Sequence, residues 1–181
     1  AVILRPSIVF GPEDQFFNRF AAMTRLGPVL PVVGAETRFQ PVYVDDVAQA
    51  AVLGILGKAE AGVYELGGPD VATFRALMQQ MLMVVRRRKL IMNIPFWAAD
   101  LMARGMEFAQ TVSFGAIPAQ ITRDQVRNLR WDNVVAKDAR GLTDLGIRAT
   151  ALDSVLPDYL WRFRPSGQYD AIKESARNLR T

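Results

Sequence analysis

The feature that most constrains the fold is a pair of apolar runs at the start of the chain. Residues 2–4 and 8–10 are apolar, Arg5-Pro6-Ser7 separates them, and Gly11-Pro12 ends the second run. Near-continuous hydrophobicity is typical of a parallel strand that helices cover on both faces. The pattern therefore predicts a buried strand of a parallel sheet that ends in a sharp turn. Because the chain opens inside this strand, we expect it to be a fragment of a longer protein.

The composition is that of a globular chain of 181 residues, half of them hydrophobic. A chain of this size can bury the core of one domain, or of one domain and part of another. The sequence has no cysteine and no histidine. This excludes disulfides and thiolate nucleophiles from it and removes the commonest metal ligand. We therefore expect no metal site, and acid–base chemistry must come from carboxylates, Tyr, Lys or residues outside this sequence.

The charge is positive overall, with a net charge of +4 and a pI of about 9.8. The cations are spread along the chain except at Arg86, Arg87, Arg88 and Lys89. No aromatic-interleaved basic motif accompanies them, so we expect no nucleic-acid partner. An anionic membrane surface is the better candidate partner, and no transmembrane segment or signal peptide is predicted.

The stretch that follows these four cations has two interpretations. Residues 90–108 are rich in Met and aromatic side chains and are helix-prone. Packing in the core is one interpretation. Contact with a membrane or a partner is the other, because basic residues next to Trp and Phe are typical of interfacial amphipathic segments.

Aromatic residues at helical spacing follow the first turn. Phe16, Phe17, Phe20 and Met23 predict an amphipathic helix within residues 13–26. Core packing explains the aromatic stripe. A second interpretation is that residues 11–15 and the start of this helix form a lid over a pocket.

Strand and helix patterns then alternate. Residues 42–44 predict a short strand that enters a helix over residues 44–56, buried all round, in which Asp46 and Gln49 have capping-box spacing. Residues 62–68 alternate strictly and predict another strand.

The remainder of the sequence predicts mainly helices. Residues 73–85 form a third helix, and capping-box spacing at residues 122–125 and 150–153 predicts the start of two more. Pro157 should kink the last helix. From Pro165 onward the composition turns polar, which predicts a poorly ordered tail.

Three stretches together resemble the extended and atypical short-chain dehydrogenase/reductase superfamily. They are Arg5-Pro6-Ser7-Ile8-Val9-Phe10-Gly11-Pro12, Tyr43-Val44-Asp45-Asp46-Val47-Ala48 and Tyr64-Glu65-Leu66-Gly67-Gly68-Pro69. Within the superfamily the sequence is most similar to the family of nucleotide-binding accessory subunits of respiratory complex I and their bacterial relatives. The stretches that carry this likeness are residues 11–20, 40–44, 121–126 and 141–147.

The resemblance implies an α/β fold: the carboxy-terminal part of a Rossmann-type parallel sheet plus a smaller, mostly helical domain. We assign residues 1–72 to late Rossmann elements interleaved with substrate-domain segments, residues 73–164 to the helical domain and residues 165–181 to a polar tail.

The resemblance also implies an NAD or NADP cofactor and assigns site residues. Pro6, Ser7 and Ile8 are expected at the nicotinamide end of the cofactor. Phe10, Asn18 and Gln40, which lie within the stretches quoted above, are placed in the substrate pocket. The phosphate-binding loop and the catalytic Tyr/Lys pair would precede Ala1. We therefore assign no catalytic residue here and expect no nucleotide affinity from residues 1–181 alone.

One position departs from the pattern of the sugar-nucleotide members of the superfamily. Those members carry an arginine for substrate phosphates where this sequence has Phe39, and Arg38 stands one residue earlier. A sugar-nucleotide substrate is therefore not expected.

Three functions remain open from the sequence. The first is an accessory protein in which the cofactor is structural and the carboxy-terminal domain docks on a membrane-associated partner such as complex I subunits. The second is an active NAD(P)-dependent reductase, epimerase or dehydratase. The third is a basic interfacial module without cofactor. The expected location is cytoplasmic, with possible attachment to the inner membrane surface.

Overall fold

The computed structural model describes residues 1–112 and 123–165, and its elements alternate between strand and helix in the first half. The strands are β1 (Val2–Pro6), β2 (Val9–Phe10), β3 (Val29–Val33), β4 (Arg38–Phe39), β5 (Val42–Tyr43), β6 (Gly62–Leu66), β7 (Ala72–Thr73) and β8 (Leu90–Ile94). The helices are α1 (Phe16–Met23), α2 (Val44–Ile55), α3 (Phe74–Val84), α4 (Phe96–Val112), α5 (Arg123–Asn128) and α6 (Leu152–Leu160). Short 3₁₀ turns lie at Thr143–Leu145 and Trp161–Phe163.

The first strand pairs parallel with β6, in a register that runs from Val2 opposite Gly62 to Pro6 opposite Leu66. The predicted parallel pairing is confirmed. The prediction that helices cover both faces is wrong for the described residues, since Ile3 is 48% exposed. Val2 and Leu4 face the α2 side, where they pack with Tyr64, whereas Ile3 lies on the opposite face of the strand.

Three further strand pairs complete the described β structure. β2 pairs parallel with β5, β3 pairs parallel with β8, and β4 pairs antiparallel with β7. The helix-prone interpretation of residues 90–94 is wrong, because they form β8 along the full length of β3. Pro95 ends this strand, and its carbonyl accepts hydrogen bonds from the N–H groups of Ala98 and Ala99 at the start of α4. Pro lacks the N–H that a strand ladder needs but suits the first turn of a helix.

Helix α2 is buried along one side only. Ala50 is fully buried, whereas Val52 and Ile55 are exposed. The predicted burial on every side is therefore wrong. One side packs against β1 and β5, and no described element covers the other.

The capping boxes predicted at Asp46 and at Thr150 are also wrong. Asp46 makes no cap to α2. Its buried carboxylate accepts hydrogen bonds from the Thr150 backbone N–H (2.7 Å) and hydroxyl (3.1 Å). A buried carboxylate needs such donors, and the two positions satisfy each other across the chain. By contrast, Thr73 does cap α3, since its hydroxyl accepts from the Ala76 N–H at 3.1 Å.

The largest core cluster joins the aromatic stripe of α1 to α3 and α6. Phe17, Phe74 and Met78 are buried in it, and Phe16 packs within 5.4 Å of the Phe74 ring centre. Core packing of the stripe is therefore confirmed. The predicted helix start at residue 122 and the predicted tail beyond Pro165 lie outside the described residues, and the 121–126 stretch lies partly outside them.

Candidate functional site

The carboxyl ends of β1 and β6 lie side by side because the two strands are parallel. In open α/β sheets, ligands bind in the crevice outside these ends. A cavity of about 200 Å³ occupies this position. Its lining consists of Arg5 and Pro6 at the end of β1, Ser7 just after it, Glu65 near the end of β6, and residues 132–135. We call this the strand-end cavity.

Ser7 is hydrogen-bonded to two of the segments that line or flank the strand-end cavity. Its backbone N–H donates to the Leu66 carbonyl at 2.9 Å, which extends the pairing of the two strands by one residue. Its hydroxyl donates to the Asn133 carbonyl at 2.9 Å and lies 3.4 Å from the Gln40 N–H. Ser7 is nearly buried. The Ser7 hydroxyl therefore joins the wall to the end of β1, and the Ser7 N–H joins β1 to β6.

The Gln40 side chain connects residues 132–136, which form the outer wall of the cavity, to the turn after β6. Its amide nitrogen donates to the Gly68 carbonyl at 2.8 Å, and its amide oxygen accepts from the Val135 N–H at 3.1 Å. The wall segment, residues 132–136, is held further by Glu65, whose carboxylate accepts from the Ala136 N–H at 2.9 Å.

Two glycines allow this close approach. A Cβ at Gly67 would lie 2.6 Å from the Gln40 side-chain carbonyl carbon, and one at Gly68 would lie 2.0 Å from the Pro41 carbonyl oxygen. The contact at Gly68 is with backbone, so the turn after β6 requires glycine there, whereas a side chain at position 67 would have to displace the side chains of Gln40 and Val135.

A bidentate ion pair closes one rim of the cavity. Asp132 accepts from the Arg38 backbone N–H at 2.8 Å and from its Nε at 2.9 Å, and the Arg38 Nη2 lies 2.8 Å from the same carboxylate. These contacts, the backbone hydrogen bond first, hold the pKa of the Asp132 carboxyl below its usual range. The Arg38 guanidinium is thus paired with the Asp132 carboxylate in the cavity wall.

Phe39 is a core residue. It is buried, with its ring centre 6.4 Å from that of Phe16 and 5.8 Å from that of Phe74. The position where sugar-nucleotide enzymes would carry an arginine therefore contributes to packing.

A hydrogen bond between Tyr159 of α6 and Asp14 holds the turn after β2 in place. The Tyr159 hydroxyl donates to the Asp14 carboxylate at 2.5 Å, and this carboxylate also accepts from the N–H groups of Phe17 (2.6 Å), Asn18 and Gly11. Burial, and then the hydrogen bond to Asp14, raise the pKa of Tyr159. The segment interpreted as a lid is tied to α6 in this structure.

The comparisons with known proteins agree with this geometry. Residues 1–60 match the model of the 3-beta hydroxysteroid dehydrogenase/isomerase family. Over 172 residues, 92% of the chain, the sequence is 34% identical to the mitochondrial NADH dehydrogenase [ubiquinone] 1 alpha subcomplex subunit 9 of Arabidopsis thaliana. The protein of the same name from Mus musculus is 30% identical over 91% of the chain. Over nine tenths of its length, the chain is similar to these subunit 9 proteins of NADH dehydrogenase. It spans 43% of the plant protein and 42% of the mouse protein.

Solved structures show the same Rossmann-type fold. UDP-glucose 4-epimerase of Thermus thermophilus, in complex with NAD, aligns with a TM-score of 0.59 at 16% identity, over 91% of this chain and 47% of the enzyme. The structure of gox2253 aligns with a TM-score of 0.59 at 20% identity, over 93% of this chain and 50% of that one. The predicted α/β fold class is confirmed.

The predicted cofactor residues lie at two depths. Pro6 and Ser7 line the strand-end cavity. Ile8 is half-buried against the core, and its carbonyl accepts from the Val42 N–H at 2.9 Å. The assignment of these residues to the cofactor stays a prediction.

The three residues predicted for a substrate pocket are not brought together. Phe10 is fully buried, with its ring centre 5.5 Å from that of Tyr43. Asn18 donates to the Pro12 and Asp14 carbonyls, and Gln40 clips the wall as described above. Their role toward a substrate also stays a prediction.

Sequence reasoning missed the wall segment, residues 132–136. It contains no periodic pattern, and its contacts reach Ser7 and Gln40, more than ninety residues away. The absence of periodicity in an Asp-Asn-Val-Val stretch after Trp131 is the only local signal, and it indicates a loop without indicating a site.

The described residues include neither a candidate metal site nor a candidate membrane-spanning helix. Residues 1–112 and 123–165 contain no group of three or more carboxylates that could hold a metal ion. In the same ranges, no helix combines the length and the apolar character needed to cross a membrane.

Proposed function

We propose that the protein to which this chain belongs binds NAD(H) or NADP(H), with the nicotinamide end in the strand-end cavity. The observation that carries the proposal is the position of this cavity, outside the carboxyl ends of β1 and β6 and lined by Pro6 and Ser7. The homology to short-chain dehydrogenase/reductases supports it, as does the NAD complex of the structurally similar Thermus epimerase.

The dimensions fit one end of a dinucleotide. Whole-ligand pockets usually measure about 300–1,000 Å³, whereas this cavity measures about 200 Å³. Pro6 has no N–H to leave unpaired beside an apolar ring, and both polar groups of Ser7 are satisfied. Residues 5–7 and 132–135 would hold the ring. The bound cofactor would supply hydride transfer, and this chain would supply orientation and exclusion of water.

The role that the homology favours is accessory. The curated relatives are named as subunits of NADH dehydrogenase. In that role the nucleotide stabilises the folded state by mass action, since a ligand that binds only the native state shifts unfolding in its favour.

An active reductase, epimerase or dehydratase is the second candidate, because residues 1–60 match a dehydrogenase/isomerase family. The Arg38–Asp132 pair and the buried Phe39 disfavour a sugar-nucleotide substrate for such an enzyme.

Peripheral attachment to a membrane is the other part of the proposal. The relatives named in the comparisons are respiratory subunits, and the four cations from Arg86 to Lys89 suit an anionic surface. We expect the partner to be respiratory complex subunits at that surface.

The experiment is nucleotide retention by the intact protein. NADPH fluorescence is followed through gel filtration for the wild type, for Val134→Trp, which fills the strand-end cavity, and for Val63→Trp on the exposed face of β6. Val134→Trp should weaken binding about tenfold or more, because a bulky side chain occupies the volume of the ring. Val63→Trp should bind as the wild type does. Equal retention by both variants would show that the cavity is not the site.

A further inference from the structure

Three arginines converge on the ring and carbonyl of Phe163, and two further cations lie close to them in the chain. The guanidinium carbons of Arg25 and Arg162 lie 5.0 and 5.3 Å from the centre of this ring. Arg87 donates from Nε to the Phe163 carbonyl at 3.0 Å, and the next residue, Arg164, donates from Nε to the Val84 carbonyl at 2.9 Å. We call these four arginines, together with Lys89, the Phe163 cation cluster.

Backbone carbonyls also hold the remaining members. Arg25 donates to the Arg162 carbonyl at 2.9 Å, and Lys89 donates to the Gly27 carbonyl. Arg162 donates to the Pro12 carbonyl at 3.1 Å. The cluster is therefore assembled from separate parts of the chain and fixed in place before any ligand arrives.

No carboxylate neutralises this cluster among residues 1–112 and 123–165. In the same ranges, ion pairs form at four other arginines: Arg38, Arg75, Arg104 and Arg140. Backbone carbonyls occupy one or two N–H donors of each cluster arginine, and Arg162 also donates to the Asn18 Oδ1 at 2.7 Å, but a guanidinium carries five donors. Like charges held close together repel each other, so an anion at the surface would stabilise the arrangement.

Apolar side chains stand exposed beside the cluster. Leu26 is 86% exposed, Met83 72% and Leu90 69%. Leu26 follows Arg25, Leu90 follows Lys89, and Met83 precedes the residue whose carbonyl Arg164 caps. Cations interleaved with exposed apolar residues are the composition of an interfacial membrane surface.

We propose that the Phe163 cation cluster, with Leu26, Met83 and Leu90, binds the phosphate headgroups of an anionic phospholipid bilayer. The arginines contact phosphodiesters and the apolar side chains enter the headgroup region. A bilayer suits the surface better than an acidic peptide does, because Leu26, Met83 and Leu90 stand exposed among the cations. The inference rests on the proposed peripheral attachment and moves its centre from the run Arg86–Lys89 to a surface that includes Arg25 and Arg162.

The test is co-sedimentation of the intact protein with phosphatidylcholine vesicles, with and without phosphatidylserine. We expect binding only to the mixed vesicles and loss of binding in high salt. Arg25→Gln should lower the partition coefficient about fivefold, the effect of one cation near an anionic surface. Leu26→Ser, a change at an exposed side chain that cannot disturb the core, should lower it several-fold.

Two matched changes on α2 and just after it serve as controls. Lys58→Gln removes one exposed positive charge, and Ile55→Ser removes one side chain that is 84% exposed. Both variants should bind vesicles as the wild type does. If they lose as much binding as Arg25→Gln and Leu26→Ser, the attraction is general to the chain and the assignment of this surface is wrong.

Other outcomes separate this inference from the proposals on which it rests. Failure of the wild type to bind mixed vesicles would remove membrane attachment altogether, while NADPH retention would still be judged in its own experiment. Binding to polyglutamate without binding to vesicles would identify an acidic protein partner. A rise in melting temperature with inorganic phosphate, without vesicle binding, would identify a soluble anion. Each of these results overturns the lipid assignment.

Discussion

At the scale of single residues, Asp14 joins the site region to the last helix. Its carboxylate receives the Tyr159 hydroxyl together with backbone N–H groups at the start of α1. Hydrogen bonds to a charged acceptor contribute about 1.5–3 kcal/mol, more than those between neutral groups. The turn that follows β2 is therefore held from the carboxy-terminal side of the described chain.

Replacing Tyr159 by Phe should lower the free energy of unfolding by about 1.5–3 kcal/mol, because Asp14 loses its only hydroxyl donor among the described residues. The change is measured by urea unfolding. Tyr64→Phe is the control, since the Tyr64 hydroxyl donates to a neutral carbonyl, that of Glu60, at 3.1 Å. If Tyr159→Phe lowers the free energy of unfolding no more than Tyr64→Phe does, the stabilising role of the Tyr159–Asp14 hydrogen bond is contradicted.

Some residue roles could be read from the sequence and others could not. The helical spacing of the aromatic stripe of α1 predicts core packing, one of the two interpretations open from the sequence, because burial follows helical periodicity. The spacing of Asp46 predicts a helix cap. Its actual partner, Thr150, is 104 residues away, and no local pattern marks that contact. Ser7 was assigned through family resemblance. Its bond to the Asn133 carbonyl depends on a loop that sequence alone does not place.

At the scale of elements, the turn after β6 sets how closely the wall approaches the strand ends. Gly68 lies against the Pro41 carbonyl, and Gln40 bridges the Gly68 carbonyl to the wall. The glycines seen as a turn signal in the sequence therefore also shape the cavity.

Gly68→Ala should destabilise the protein by more than about 2 kcal/mol and weaken nucleotide binding, since the new Cβ must displace backbone. Gly105→Ala in α4 is the matched control. Its Cβ would meet nothing within 4 Å, and alanine should stabilise the helix by up to about 1 kcal/mol. Thermal unfolding measures both, and a Gly68→Ala protein as stable as the wild type would show that the approach is not required.

Element identity was predictable where the pattern was long and regular. The strict alternation of residues 62–68 predicts β6, which ends at Leu66, and helix α3 lies within one residue of its expected start. β8 was missed because a short apolar run with Met and Asn has no distinctive period. Its strand conformation comes from pairing with β3, a tertiary contact.

At the scale of the whole molecule, two features lie on different parts of the chain. The parallel strand ends and the wall segment form a cavity suited to one end of a dinucleotide. The Phe163 cation cluster links the segments that follow α1 and α3 to the turn after α6. The proposed nucleotide binding rests on the first of these features, and the proposed membrane attachment rests on the second.

The most direct test of the nucleotide-site proposal is hydrogen–deuterium exchange of the intact protein with and without NADPH. We expect protection concentrated in residues 5–8, 65–68 and 132–136, the segments that surround the strand-end cavity. Residues 44–55 of α2 should exchange equally in both states. Protection that bypasses all three segments while NADPH is demonstrably bound would contradict the claim that this cavity receives the nicotinamide.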